Sequence, residues 1–204
     1  MPKEKRTAGI ILAAGQSTRI DKFKLLIKLE GKYMLEWVVD AALESRLAHV
    51  ILVLGHHFEK VQKVLNKKIH HPRIEIVINP QYPMGLSRSL RSGLLAAKGS
   101  YPSVMFLLGD QPMLDAKTIN MLLDRFWNSE REICVPVCRG KRGNPTVFSH
   151  KYYDQLLQIK GDIGARNVLE AYASHIIRVE VDHPLCFLDV DTEVDLKSLQ
   201  NMLK

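Results

Sequence analysis

Three aspartates carry the residue type that handles divalent metal and phosphate. Asp110 follows directly on the apolar run of SVMFLLGD, and Asp189 and Asp191 stand two apart in FLDVDTEVDL. In an extended segment, residues two apart project on one face, and carboxylates so placed repel unless a cation sits between them. A hard divalent ion held by such oxygens and bridging to phosphate is one reading. Helix capping is the other: Asp191 or Thr192 precedes a last helix that has Asp195 in its first turn. Asp115 suits the cap of the helix after GDQP better than Asp110, because Pro112 and the distance to AKTIN intervene.

Two loops complete the set. IILAAGQSTRIDKFK, residues 10–24, breaks a buried-looking strand into Ala13, Ala14 and Gly15 and then presents Arg19 and Lys24. Small residues let a phosphate reach backbone N–H groups, and the two cations would neutralise a polyphosphate. The loop lacks the Gly-Lys-Ser/Thr of a Walker A segment and the GxGxxG of a dinucleotide fold, and a plain turn is its alternative reading. NPQYPMGLSRSLRSGL delivers Ser87, Arg88, Ser89 and Arg91 at a helix start. Such a start binds an anion or reads a polar base edge, or is simply a capped helix.

The elements that must position these residues alternate. AGIILAA, HVILVLG, RIEIVIN, SVMFLLGD and EICVPV read as strands, and MLEWVVDAALES, HHFEKVQKVLNKK, SRSLRSGLLAAKG and AKTINMLLDRFWNS as helices between them. Near-continuous Val, Ile and Leu strands separated by helices predict a mostly parallel sheet covered on both faces, a three-layer α/β/α fold. In such sheets ligands bind beyond the carboxyl ends of strands, where these motifs fall. RGNPTVFS then reads as loop and strand, HKYYDQLLQIK and GARNVLEAYAS as helices, and IIRVEV precedes the acidic segment and a last helix. With 204 residues and no linker or repeat, one domain over residues 1–204 is expected.

Composition excludes several classes. At 46% hydrophobic and 25% charged the chain is an ordinary globular protein rather than a disordered one. No apolar run approaches the roughly 20 residues of a membrane span. MPKEKRTAG leads into a strand without a signal-peptide core, so a cytoplasmic location is expected. Cys134 and Cys138, and the pairs His56–His57 and His70–His71, lack the partner ligands of a zinc site; core or surface cysteines and solvated histidines are expected. The net charge of +7 is scattered rather than gathered in a stripe, which favours a small anionic substrate over nucleic acid.

Taken in order, LAAGQSTR…K, NPQYPMGLSRSLRSGL, GDQP, RGNPTVF, GDIGAR and DVDT resemble the motifs of the nucleotidyltransferases that build the dinucleotide form of the molybdenum cofactor. The double-Ala opening, GDQP and RGNP point to the cytidylyltransferase branch. The resemblance covers almost the whole chain and implies a Rossmann-like nucleotidyltransferase fold of the GT-A-like kind. It further implies that the Leu12, Ala13, Ala14 and Gly15 backbone, with Arg19 and Lys24 as catalytic cations, holds the CTP triphosphate. Asn79, Gly85 and Ser89 would hold base and ribose. Asp110 and Asp191 would bind Mg²⁺, with Asp189 a third candidate. Arg142, Asn144 and the 161–166 loop, with Gly161, Asp162 and Arg166, would face the pterin substrate. The chain departs from the pattern at Ile20-Asp21, where the family has Met-Gly, and at Glu193, where it has proline.

The implied reaction is attack of the molybdopterin phosphate on the α-phosphorus of CTP, with pyrophosphate leaving. The product would pass to a molybdoenzyme; neither a membrane nor a nucleic-acid partner is expected. Three alternatives stand beside it: a related guanylyl- or sugar-nucleotide transferase, a non-catalytic cofactor-binding maturation factor, and a basic nucleic-acid-binding protein.

Overall fold

The computed structural model describes residues 5–15, 23–182, 187–190 and 192–202. Arg19 and Asp191 therefore lie outside the described residues. The chain opens with β1 (Thr7–Ala13), a ribbon of β2 (Lys28–Leu29) and β3 (Lys32–Tyr33), and α1 (Met34–Glu44). β4 (His49–Leu54), α2 (Phe58–Val64), α3 (Asn66–Ile69), β5 (Ile74–Ile78) and α4 (Leu86–Ala97) follow. Next come β6 (Ser103–Leu108), α5 (Ala116–Trp127), β7 (Ile133–Cys138), β8 (Lys141–Arg142) and β9 (Thr146–Ser149). α6 (Tyr153–Leu157), α7 (Arg166–Ala171), β10 (Ile176–Glu180) and α8 (Glu193–Met202) complete the chain.

The main sheet runs β10-β7-β9-β6-β1-β4-β5, with β8 paired to β7. β1 is parallel to both β4 and β6, and all seven of its residues are buried. That is why its sequence is continuously apolar: alternate residues enter different cores. Ile11 and Ala13 pack with Val38 of α1 and Leu122 of α5, whereas Ile10 and Leu12 pack with Leu90 of α4 and Leu156 of α6. The expected three layers follow from this two-sided burial. Each fully buried aliphatic side chain contributes about 1.5–3 kcal/mol of transfer free energy.

β9 runs antiparallel to β6 and β7, a reversal that the strand–helix alternation did not predict. Only residues 139–145 separate it from β7, too few for the crossover of a dozen or more residues that a parallel return needs. Helix ends are set locally. Asp115 Oδ1 accepts from Thr118 N at 2.7 Å and caps α5, as expected. Thr192 Oγ1 accepts from Asp195 N at 3.2 Å while Asp195 Oδ2 accepts from Thr192 N at 2.8 Å, a reciprocal cap for α8. Of the capping alternatives, Thr192 with Asp195 is the pair observed. Cys134 and Cys138 are buried core residues; His57 and His70 are exposed, and His56 and His71 half-buried.

Candidate active site

β1 and β6 end side by side, their parallel register running to Leu12 opposite Leu108. Gly109 N donates to Leu12 O at 3.1 Å, so the chain leaves β6 against the start of the opening loop. Asp110 comes next. The segment around Asp189 is laced to the same place: Val190 N donates to Asp110 O at 3.2 Å, and Gln111 Nε2 donates to Asp189 Oδ1 at 2.8 Å. Gln111 is buried, and its Oε1 has no hydrogen-bond partner among the described residues. GDQP and the described segment 188–190, some eighty positions apart, thus form one acidic corner.

Lys24 reaches into that corner. Its Nζ lies 2.6 Å from Asp110 Oδ2, with the two side chains only 14% and 20% exposed. Two opposite charges so placed are poorly screened, and each holds the other in position. Lys24 sits where it does because Phe23 and Leu26 pack against the core and Leu25 is buried in it.

A cavity of about 740 Å³ opens over these groups, and Leu12, Ala13, Ala14, Gly15, Lys24, Asp110 and Asp189 line it. Gly85 and Ser89, from the start of α4, line it too, with Asp162 and Arg166. A second cavity of about 340 Å³ adjoins it through Leu12, Leu86, Leu108, Asp162 and Arg166, and Arg142 and Asn144 reach only this one.

Asn79 and Gly161 line neither cavity, and each has another task. Asn79 is buried; its Oδ1 accepts from Gln81 N at 3.0 Å and its Nδ2 donates to Ser89 Oγ at 3.1 Å. Gly161 O accepts from Ser87 N at 3.2 Å, while Asp162 Oδ1 accepts from Leu86 N at 2.8 Å. Two of the free N–H groups at the start of α4 are therefore already satisfied by the 161–162 loop, which weakens the anion-binding reading of that helix end. Gly85 permits this docking: its φ of +100° suits glycine, and a Cβ there would stand 3.0 Å from Gly161 O.

Sequence reasoning missed Gln111 and Tyr82. Both stood inside quoted motifs, GDQP and NPQYPMGLSRSLRSGL, in which only their neighbours were assigned; Tyr82 lines the larger cavity. Among the described residues no three His, Cys, Asp or Glu side chains converge as a metal cluster. Three carboxylates, Asp110, Asp162 and Asp189, line the cavity, and Asp110 and Asp189 are the two joined through Gln111 and Val190. Magnesium is ordinarily bound through one or two carboxylates with substrate phosphates and waters, so this hard-oxygen pair fits it, and Asp110 already accepts a cationic partner.

Residues 9–176 match the model of the MobA-like NTP transferase domain. The chain is 26% identical to the purine catabolism protein PucB of Bacillus subtilis over 92% of its own length and 94% of PucB. It is 32% identical to the bifunctional protein GlmU of Sorangium cellulosum over 85% of its length, spanning about a third, 36%, of that longer protein. Rv0371c of Mycobacterium tuberculosis, solved in complex with manganese, superposes with a TM-score of 0.80 at 25% identity, covering 96% of this chain and 98% of that one. No helix among the described residues is long and apolar enough to cross a membrane. A corner of charge at adjoining strand ends, beside a small-residue backbone, agrees with that match: the chain belongs to the MobA-like NTP transferase family and is a nucleotidyltransferase.

Proposed function

We propose that the protein transfers a cytidylyl group from CTP to the molybdopterin form of the molybdenum cofactor, releasing pyrophosphate, with Mg²⁺ as the required ion. The observation that carries this reading is the pair of adjoining cavities, one backed by the Leu12–Gly15 backbone and the Lys24–Asp110 pair, the other edged by Arg142 and Asn144. They provide for a polyphosphate donor and for a second, anionic acceptor side by side.

The chemistry asks little of acid–base groups. A phosphate acceptor is largely ionised at pH 7, so its oxygen attacks the α-phosphorus without a general base. What opposes the reaction is repulsion between two anions and charge building on the leaving group. Lys24, and Arg19 in the opening loop, meet the triphosphate charge, while the backbone N–H groups of residues 13–15 orient it. Asp110, with Asp189 and Asp191, would hold the magnesium, which when bound would offset the negative charge that develops on the phosphates. Gly85 and Ser89 border the nucleoside end; Asn79 holds the loop that carries them. Arg142, Asn144, Asp162 and Arg166 border the acceptor, and Gly161 positions Asp162 by docking on α4.

The test is pyrophosphate release by purified protein with magnesium and molybdenum cofactor, with CTP and GTP supplied separately. Release with CTP alone is expected. Release with GTP alone would move the enzyme to the guanylyl branch, and silence with both in active cofactor preparations would overturn the acceptor. The likeness to PucB over nearly all of both chains favours a second reading of purpose, in which the same transfer serves purine breakdown. Deleting the gene and testing growth on a purine as nitrogen source separates the two.

A further inference from the structure

Resting on nucleoside triphosphate as the donor, we propose that Tyr82 is the wall against which the base packs, and that His56 is the residue that positions it. A nucleoside triphosphate has one anionic end and one flat aromatic end. The large cavity has a matching anion-handling corner at Lys24 and Asp110, and Tyr82 is the only aromatic residue among the described residues that line it. A ring facing a base is worth enough to matter, and it tolerates different bases because every base has a π-face.

The ring is held in place before any ligand arrives. Its backbone belongs to a short 3-10 turn, Tyr82–Met84, closed by Gly85 N donating to Tyr82 O at 3.2 Å. Behind that turn, Asn79 N donates to Leu54 O at 2.7 Å, tying the loop to the end of β4. The side chain lies against Gly55: a Cβ at that position would stand 2.8 Å from the Cβ atoms of both Ala14 and Tyr82. Glycine at 55 therefore lets Tyr82 close up to the very backbone that is expected to hold the phosphates. An aromatic fixed in advance loses little conformational freedom on binding.

One side of the ring is less supported. Tyr82 also borders a shallower groove of about 490 Å³ lined by His57 and Phe58, so packing alone does not fix its tilt. His56 supplies the missing restraint. Its Nδ1 lies 3.2 Å from the Tyr82 hydroxyl, while its own backbone N donates to Ala14 O at 3.4 Å. Phe23, the residue before Lys24, meets the imidazoles of His56 and His57 edge-on at 6.0 and 5.3 Å between ring centroids. The pair expected from sequence to be merely solvated thus links the base wall to the segment that carries the phosphate cation.

The experiment is calorimetric titration of wild type, Tyr82→Ala, Tyr82→Phe and His56→Ala with CTP, GTP and inorganic triphosphate, in magnesium and without acceptor. Tyr82→Ala is expected to weaken nucleotide binding about tenfold, the loss of one base–aromatic contact, and to leave triphosphate affinity unchanged. Tyr82→Phe keeps the ring and should lose less than about threefold, with His56→Ala between the two. Thermal melting confirms that each variant is folded. Nucleotide affinity unchanged in Tyr82→Ala, or an equal loss for triphosphate, would overturn this inference and leave the proposed reaction standing. Wild type that binds neither nucleotide would overturn both.

Discussion

The two adjoining cavities share five residues yet are built from different materials. The larger one is lined by the small residues 13–15, by the charges of Lys24, Asp110 and Asp189, and by one aromatic residue, Tyr82. The smaller has a hydrocarbon floor of Leu90, Phe106, Phe148 and Leu169 with Arg142 and Asn144 at its edge. A polar site holds its ligand by directed bonds to groups fixed in advance, so it tolerates few changes. An apolar site with a cation at the rim holds a flat body by area and an anion by charge, and single losses there are shared. The difference predicts where substitutions stop the chemistry and where they only loosen a substrate.

The largest effect should come from the polar side. Asp110→Ala is expected to lower kcat about 10²–10³-fold, as removal of one preorganised electrostatic group does elsewhere, and Lys24→Ala about 10²-fold, both read as pyrophosphate release. Turnover near wild type in Lys24→Ala would make the 2.6 Å pair a structural contact and end its catalytic assignment. Gln111→Leu removes the bond to Asp189 without touching either carboxylate. It should weaken Mn²⁺ binding about 10-fold, followed by the paramagnetic signal of free manganese; unaltered binding would show that Asp189 needs no such support.

On the acceptor side the prediction is smaller and of another kind. Arg142 is exposed and reaches only the second cavity. Arg142→Ala should raise the acceptor KM about 3- to 10-fold, a charge-assisted hydrogen bond's worth, with nucleotide affinity unchanged. A fall in kcat of the same size would place it in the reaction corner instead. The smallest effect lies away from both cavities. Asp124 is held below its ordinary carboxylate range by a hydrogen bond from Arg46 at 2.6 Å, partly opposed by desolvation, and then by the Arg46 charge. A depressed carboxylate adds stability above its unfolded value, near 3.8, and loses it as pH falls through the lower folded value. Because both side chains are half exposed, the pair contributes less than about 1 kcal/mol. Urea unfolding at pH 7 should therefore find Asp124→Asn slightly weaker than wild type, with the gap closing as the pH falls below 3.8.

Legibility in the sequence followed the range of the interaction. The paired strands β1, β4 and β6 were readable because two-sided burial demands continuous apolar runs, and Asp115 was readable as a cap because its partner is three residues away. β9 was readable as a strand but not in its direction, since the brevity of residues 139–145 matters only once its neighbours are known. The resemblance assigned Asn79 to base and ribose; only the fold shows its amide engaged with Gln81 and Ser89. His56 carried no local signal, as its partners lie at Ala14 and Tyr82.

By itself the sequence determined the α/β layering, the Asp115 cap and the gathering of functional residue types after strand ends. Those depend on periodicity and on groups within a turn of one another, which a linear text records directly. Only the tertiary structure decided that Lys24 meets Asp110, that Gln111 meets Asp189, and that Asp162 closes the start of α4. Each of these joins residues more than seventy positions apart. Strand order brings such residues together, and strand order is set by burying both faces of the sheet at once, a condition on the whole chain that no short segment contains.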